Sequence, residues 1–213
     1  MASKHPDSPL LMLPLELRLE IYDHMSRPEP KSYPFGPLPI SSIDQRAPPT
    51  ALMATCRSIH DEILAEFYKK VTFRAVAQSI YRVRLEGAGP TTLGALRRAK
   101  KFEIWLIWSI TPQLLGQDFK DWPYSMNRWL EDMTRDLLQE AKSLESVTVS
   151  VTDVSEGVDW ARKKRMLRPL ESMGGWVDLR VGEVIATDEE KAELKERLGA
   201  CLKELNSAAL PGV

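Results

Sequence analysis

The sequence predicts an α/β fold, in which an N-terminal pair of helices packs on a small, one-sided and mostly parallel sheet of βα repeats. Two stretches near the N-terminus, 13–25 and 51–68, have the residue types or spacing of helices. Further along, apolar or alternating runs near 102–110, 146–152 and 176–181 are each followed by a helical pattern. Strands that alternate with helices are the sequence pattern of right-handed βαβ units.

The length and composition indicate an ordinary globular protein. The chain has 213 residues, 43% hydrophobic and 28% charged, enough for one domain or a small domain with an appended module. A net charge of -1 gives no reason to expect bulk binding to nucleic acid or acidic membranes. Cys56 and Cys201 both fall on predicted core faces of helices, so we expect buried thiols in a reducing compartment. No secretion signal or membrane span is expected, and the protein is predicted to be soluble and cytoplasmic or nuclear.

The first helix is predicted over residues 14–25. Its leucines alternate, which by itself favours a strand, but Leu, Glu and Arg favour a helix and Pro14 suits a first helical position. On a helix the apolar residues form two faces, and we expect one to pack on the domain and the other to meet a partner. Alternatively, both faces are ordinary core. One face carries Leu17, Ile21 and Met25, and the other carries Leu15, Leu19 and Tyr22.

The second helix is predicted as one continuous element over residues 51–68. Pro49 and Thr50 give a start signal, with Thr50 as the expected N-cap. The apolar positions are spaced by three or four residues, which is typical of an amphipathic helix. They are Leu52, Cys56, Ile59, Ile63 and Phe67.

The two stretches together resemble a known family. Leu13-Pro14-x-Glu16-Leu17-Arg18-x-x-Ile21-Tyr22, then Cys56-Arg57-x-Ile59-x-x-Glu62 and Phe67-Tyr68-x-x-x-Thr72-Phe73, is similar to the F-box-like proteins of filamentous fungi. The match covers residues 11–75. It implies a non-catalytic adaptor that docks on the Skp-type linker of a cullin–RING ubiquitin ligase. The partner-binding residues that the resemblance implies are Leu13, Pro14, Leu17, Ile21, Leu52, Cys56 and Ile59.

The predicted organisation is an unstructured start at 1–10, the helical module at 11–70, the βα-repeat domain at 71–206 and a tail at 207–213. The module contains a Pro-rich insertion at 26–50, where an ordinary F-box has a short middle helix. Proline density there forbids a helix and disfavours a paired strand, so the insertion is predicted to be a loop. The prolines are Pro28, Pro30, Pro34, Pro37, Pro39, Pro48 and Pro49.

The βα-repeat domain resembles a short leucine-rich-repeat-like stack. It opens with a β-prone run at 71–75, and Val76, Ile80 and Val83 then suggest a helix. A second short helix is capped by Thr91 or Thr92, and longer helices are predicted over about 125–143 and 158–172. The last helix begins with the capping-box pattern of Thr187 and Glu190.

The sequence nominates no catalytic group, metal site or cofactor, and we expect the protein not to be an enzyme. His60-Asp61-Glu62 lacks a second histidine one helical turn away, so it is interpreted as helix surface. The run Arg162-Lys-Lys-Arg165 is interpreted as an exposed basic helix face in preference to a nuclear signal.

A target-binding surface is predicted on the open face of the sheet. The residues opposite the inward valines of 146–152 are polar, and helices are expected to cover only the apolar face. Trp105 beside Arg180 has the composition of an interface anchor. The alternative is a plain solvated face with Trp105 covered by a loop. The predicted target-binding residues are Trp105, Thr148, Ser150, Asp178 and Arg180.

Overall fold

Five strands form one sheet, in the order in which they occur along the chain. The computed structural model of the chain describes residues 8–26, 42–77, 89–109 and 124–207. The strands are β1 Ser42–Ile43, β2 Thr72–Ala77, β3 Lys101–Trp108, β4 Ser146–Asp153 and β5 Asp178–Ile185. The helices are α1 Leu15–Met25, α2 Thr50–Met53, α3 Arg57–Lys70, α4 Pro90–Arg98, α5 Tyr124–Glu140, α6 Trp160–Met166 and α7 Asp188–Ser207, with a 3-10 helix at Arg168–Met173. The fold is therefore mixed α/β with a mostly parallel sheet, as predicted.

Strands β2 to β5 are parallel, and only β1 runs antiparallel to its neighbour β2. Consecutive parallel strands joined by right-handed crossovers place their connecting helices on one side of the sheet. The strand residues that alternate toward this side are fully buried, as Phe102, Ile104 and Leu106 are at 0% exposure. Long apolar side chains of α5 and α7 complete this core, including Leu130, Leu137, Leu198 and Leu202.

A second, smaller apolar cluster lies between the N-terminal helices. It consists of Tyr22 from α1, Leu52 from α2, and Ile59 and Ile63 from α3. We call residues 8–26 and 50–70 the helical module, and residues 71–77, 89–109 and 124–207 the sheet domain. Farther along α3, Phe67 and Tyr68 pack on the core of the sheet domain instead. The helix α3 therefore connects the two clusters.

The prediction of one continuous helix over 51–68 is wrong, because residues 54–56 are not helical and separate α2 from α3. Thr55 Oγ1 donates a hydrogen bond to the Leu52 carbonyl at 2.7 Å, and Cys56 is extended at φ -157 and ψ 162. Cys56 is therefore the N-cap of α3 and is exposed, in contrast to the expected buried thiol, while Cys201 is buried as predicted. The N-cap of α2 is Pro49 and not Thr50, which is the first residue of the helix. Similarly, Pro14 is the N-cap of α1 and not its first helical residue.

Three further elements differ from the sequence prediction. Ile43 pairs with Phe73, so the Pro-rich insertion does contain a paired strand, at the edge where proline is tolerated. Val76 belongs to β2 and not to a helix, whereas Ile80 and Val83 lie outside the described residues. The predicted helix at 158–172 is divided into α6 and the 3-10 helix, with Pro169 at the start of the second piece. Asp159 caps α6 by accepting a hydrogen bond from the Arg162 amide at 2.8 Å.

The outer edge of β5 is covered by a side chain of the last helix. Asn206 accepts a hydrogen bond from the Leu179 amide at 2.9 Å through Oδ1. Its Nδ2 donates to the Leu179 carbonyl at 2.9 Å. The side-chain amide thus takes the place that a neighbouring strand would occupy beside Leu179.

Candidate protein-interaction surfaces

The helical module exposes an unusual amount of apolar surface around the start and one side of α1. Leu15 is 45% exposed, Leu17 47% and Met25 53%, and Met12 just before the helix is 75% exposed. The only other large apolar side chains this exposed within the described ranges are Val154 and Ile185. Such a local concentration of exposed apolar residues marks an interaction surface more often than a random scatter does.

A polar clip fastens α1 to α3 through Arg18 and Tyr22, on a side of the same helix that adjoins the exposed one. Arg18 donates to both carboxylate oxygens of Glu62, from Nε at 3.0 Å and from Nη2 at 2.8 Å. Arg18 Nη1 also donates to the carbonyls of Leu11 and Leu13. Tyr22 donates its hydroxyl to Glu62 Oε2 at 3.1 Å. Two parallel charge-assisted bonds fix both distance and orientation, so the clip sets how α1 lies on α3.

The clip perturbs the acid–base equilibria of its members. The hydrogen bonds from Arg18 hold the pKa of the Glu62 carboxyl below its usual value, and the same contact raises the pKa of Arg18. Burial raises the pKa of the Tyr22 hydroxyl, so this group remains a neutral donor. Glu62 is therefore held as a carboxylate, and both of its oxygens accept hydrogen bonds within the clip.

The residues predicted to bind a partner divide into two groups. Pro14, Leu17 and Cys56 are exposed, and Leu13 and Ile21 are partly buried. Leu52 and Ile59 are buried in the small cluster, so they support the module and offer little surface to a partner. The residues Leu17, Ile21 and Met25 repeat every four positions and share one side of α1.

The open face of the sheet carries a network of polar contacts centred on Glu103 and Trp105. Arg74 from β2 bonds Glu103 Oε2 at 2.6 Å, and its guanidinium lies 4.9 Å from the centre of the Trp105 ring. Ser150 donates to Glu103 Oε1 at 2.5 Å. Trp105 Nε1 donates to Thr152 Oγ1 at 2.8 Å. Neighbouring strands thus hold the indole in place on this face.

The predicted target-binding residues do not all reach solvent. Trp105 and Thr148 are partly exposed, and Asp178 and Arg180 are exposed and bond each other at 2.6 Å. Ser150 is fully buried. Its hydroxyl donates to Glu103 and also accepts a hydrogen bond from the Glu183 amide at 2.9 Å. It therefore offers no direct contact, contrary to the sequence prediction.

The prediction that Trp105 lies beside Arg180 is also wrong, as the strand register shows. Trp105 lies opposite Ser150, whereas Arg180 lies in the preceding row with Thr148 and Glu103. A bulge at Gly182 sits beside this row, and a Cβ there would collide with the Ser150 hydroxyl and the Thr148 methyl group.

Sequence reasoning placed Trp105 on this face without the contacts that hold the indole, which come from Arg74 and Thr152. Arg74 lies within the β-prone run predicted at 71–75, at an outward position of β2. Its alignment with Glu103 is a matter of register between strands far apart in sequence. The sequence does not contain that register locally.

The predicted basic helix face is only partly exposed. Lys163 is buried at 9% exposure, and its Nζ lies 2.6 Å from Asp153 Oδ2 at the carboxyl end of β4. Asp153 also accepts a hydrogen bond from the Ser155 amide. Arg162, Lys164 and Arg165 are exposed. The buried pair is internal to the fold, so Lys163 does not belong to a basic surface.

Comparison with known proteins assigns the chain to no family. No family model matches the chain, and neither the curated proteins nor the solved structures contain a match. Within the described residues, no cluster of three or more His, Cys, Asp or Glu side chains could hold a metal ion. Among the described helices, none combines the length and apolar character that crossing a membrane requires.

Proposed function

We propose that the protein is a non-catalytic adaptor, an F-box-like substrate receptor that docks through its helical module on the Skp-type linker of a cullin–RING ubiquitin ligase. The exposed apolar side of α1 is the observation that carries this proposal. Leu17 and Met25 are about half exposed, although apolar residues of this size are mostly buried in a monomer. Leu17 lies one helical turn after Leu13 and Pro14 of the motif that resembles the family, and Met25 ends the same side of α1.

The clip supports the docking proposal by accounting for the remaining motif residues. Arg18, Tyr22 and Glu62 bond one another, and Ile59 is in the small core. Once these structural residues are set aside, the predicted partner residues that remain are Leu13, Pro14, Leu17, Ile21 and Cys56. The short helix α2 between α1 and α3 also agrees with the middle helix of an ordinary F-box, at a later position in the chain.

Binding of the purified linker to the full chain tests the docking proposal. Leu17→Ala combined with Met25→Ala should weaken the complex by roughly 2 kcal/mol or more, as truncated interface anchors do. The matched control is Val154→Ala, an apolar residue exposed at 59% in the sheet domain, which should leave affinity unchanged. Unchanged affinity in the double variant, with normal thermal stability, would refute docking through α1.

The open face of the sheet is the proposed target-binding surface. Trp105 is held by Thr152 and Arg74 in a fixed orientation, so little conformational entropy would be lost when a partner packs on it. Trp105→Ala and Arg180→Ala are tested for target capture and for thermal stability. Loss of capture at unchanged stability supports the surface, and a large loss of stability in Trp105→Ala would assign the ring to the core.

The alternative function is a scaffold or regulatory subunit of another intracellular complex. The observation in its favour is that Leu52, Ile59 and Ile63 are buried within the module, so much of the apolar pattern is ordinary core. Co-purification of the tagged chain from its own host separates the two functions. Recovery of the linker and the cullin supports the adaptor, and recovery of a different stable complex without them supports the scaffold.

A further inference from the structure

A cleft of about 390 Å³ lies between α1, α3 and residues 44–49. Its lining is mainly apolar, with Tyr22 and Ile63 buried and Leu19 and Phe67 partly buried. A volume of this size lies within the range of sites that bind small molecules, about 300–1,000 Å³. The cleft is separate from the exposed side of α1, because the residues that line it are not Leu17, Ile21 or Met25.

The charged groups at the cleft give it a negative balance. Three carboxylates, Asp23, Asp44 and Glu66, face two cations, Arg46 and Lys70, so the lining carries a formal charge of 2 − 3 = −1. Lys70 Nζ lies 3.1 Å from Glu66 Oε1 and 3.4 Å from Asp23 Oδ2, so this cation is already engaged.

Among the three carboxylates, Asp44 is the best placed to bind the positive charge of a ligand. Its Oδ1 accepts a hydrogen bond from the Thr72 amide at 2.7 Å, and it forms no salt bridge within the described residues. Tyr22 and Phe67 also line the cleft, and their ring atoms add apolar surface on which an aromatic or aliphatic body can pack.

We propose that this cleft binds a small cationic amphiphile, an amine with an aromatic or aliphatic body, with the body on the apolar lining and the ammonium group at Asp44. The site is independent of the proposed adaptor function. Because α1, α3 and the segment after β1 all line the cleft, a bound amine would join the helical module to the edge of the sheet.

Three probes with the same body and different head groups test the charge preference. They are 4-phenylbutylamine, 4-phenylbutanol and 4-phenylbutanoate, titrated into the full chain by calorimetry at low salt. The amine should bind about tenfold more tightly than the alcohol, since one solvated charge pair contributes on the order of 1 kcal/mol or more. The carboxylate should bind most weakly. Equal affinity of the three probes, or no measurable binding of the amine, would overturn the proposal.

Variants locate the amine. Asp44→Asn removes the charge and keeps an oxygen that can accept from the Thr72 amide, so it should bring the amine to the affinity of the alcohol. Asp61→Asn is the matched control, because Asp61 is an exposed carboxylate on α3 that does not line the cleft, and it should change nothing. An amine preference that survives Asp44→Asn would place the cation elsewhere and refute the assignment.

A filled cleft tests the apolar part of the site. Leu19→Trp places a larger ring in the cleft and should abolish binding of all three probes, with circular dichroism confirming the fold. If this variant does not fold, Ser26→Trp fills the cleft from the end of α1. Binding that persists in a folded filled variant would show that the probes bind outside the cleft.

Discussion

The helical module and the sheet domain are stabilised by different kinds of contact. The module has a core of Tyr22, Leu52, Ile59 and Ile63, held by the clip from Arg18 to Glu62. The core of the sheet domain draws residues from β2 to β5 and from α4 to α7. A small apolar cluster removes less surface from water, so its polar contacts contribute a larger share of stability. The module can therefore leave one side of α1 apolar and exposed, because the clip and the small core hold the helix in place.

Truncation of one isoleucine in each core gives the largest expected effects. Ile104→Ala should cost the most, near the upper end of the 2–5 kcal/mol typical of such changes, because Ile104 is fully buried in the large core. Ile59→Ala should cost about 2 kcal/mol, because the small core can collapse around it. Urea unfolding followed by tryptophan fluorescence reports on the sheet domain, since every tryptophan lies beyond residue 100.

Circular dichroism on the same samples reports on helices in both parts. Ile59→Ala should lower the dichroism midpoint more than the fluorescence midpoint. If the two midpoints fall together, the module and the sheet domain unfold as one cooperative unit, and the comparison between them fails.

Removal of the clip charge gives the next effect. Glu62→Gln weakens both bonds from Arg18 and should reduce hydrogen-exchange protection in α1 and the first turns of α3, with the strands unchanged. Asp61→Asn, on the neighbouring exposed position of α3, is the control. Equal protection in wild type and Glu62→Gln would mean that the apolar cluster alone holds α1.

Acid should act in opposite directions on the two parts. The pKa of Glu62 is lowered by Arg18, so its stabilising contribution is present above the unfolded pKa of about 4.3 and is lost as pH falls through the folded pKa. Burial raises the pKa of Asp136 in α5, so its contribution is present below the unfolded pKa and lost as pH rises through the folded pKa.

Lowering the pH from about 6 to 3 should therefore loosen α1 before the sheet domain. Nuclear magnetic resonance shifts of Tyr22 and of the tryptophans follow the two parts separately. In Glu62→Gln the acid-induced loosening of α1 should be largely absent. Acid loosening of the same size in that variant would assign the transition to other carboxylates.

The smallest effect is expected on the open face. Thr152→Val removes the acceptor of the Trp105 indole and keeps the side-chain shape, so it should cost about 1 kcal/mol or less. The indole is partly exposed and can bond water instead. The fluorescence maximum of the folded protein should shift toward that of a hydrated indole. A loss as large as that of Ile104→Ala would show that the polar network supports the large core.

The sheet domain was largely predictable because its information is local. Val147, Val149 and Val151 alternate with polar residues, and this pattern predicts which side of β4 faces the apolar core. The interruption of the helix at Cys56 was not predictable, because the apolar spacing of a helix continues across residues 54–56. The hydrogen bond from the Thr55 hydroxyl to the Leu52 carbonyl is a local contact that competes with the helical backbone bonds.

Contacts between distant residues account for the remaining differences. The Arg18–Glu62 clip and the Lys163–Asp153 pair each join side chains from separate elements. The run of basic residues at 162–165 gives no sign in the sequence that Lys163 is the one that is buried. Ser150 follows the outward pattern of β4, and only the bulge at Gly182 brings the Glu183 amide onto its hydroxyl. The geometry separates Arg18, Tyr22 and Glu62, which hold the module together, from the exposed Pro14 and Leu17.

The amide of Asn206 on the edge of β5 has a consequence for self-association. An uncovered edge of a parallel sheet offers its backbone to any extended chain, and stacks built from repeats can grow or aggregate from that end. Both backbone groups of Leu179 are already satisfied by one side chain of α7. An extended chain that pairs with this edge beside Leu179 would first have to displace Asn206, so the end of α7 opposes growth of a fibre from that position.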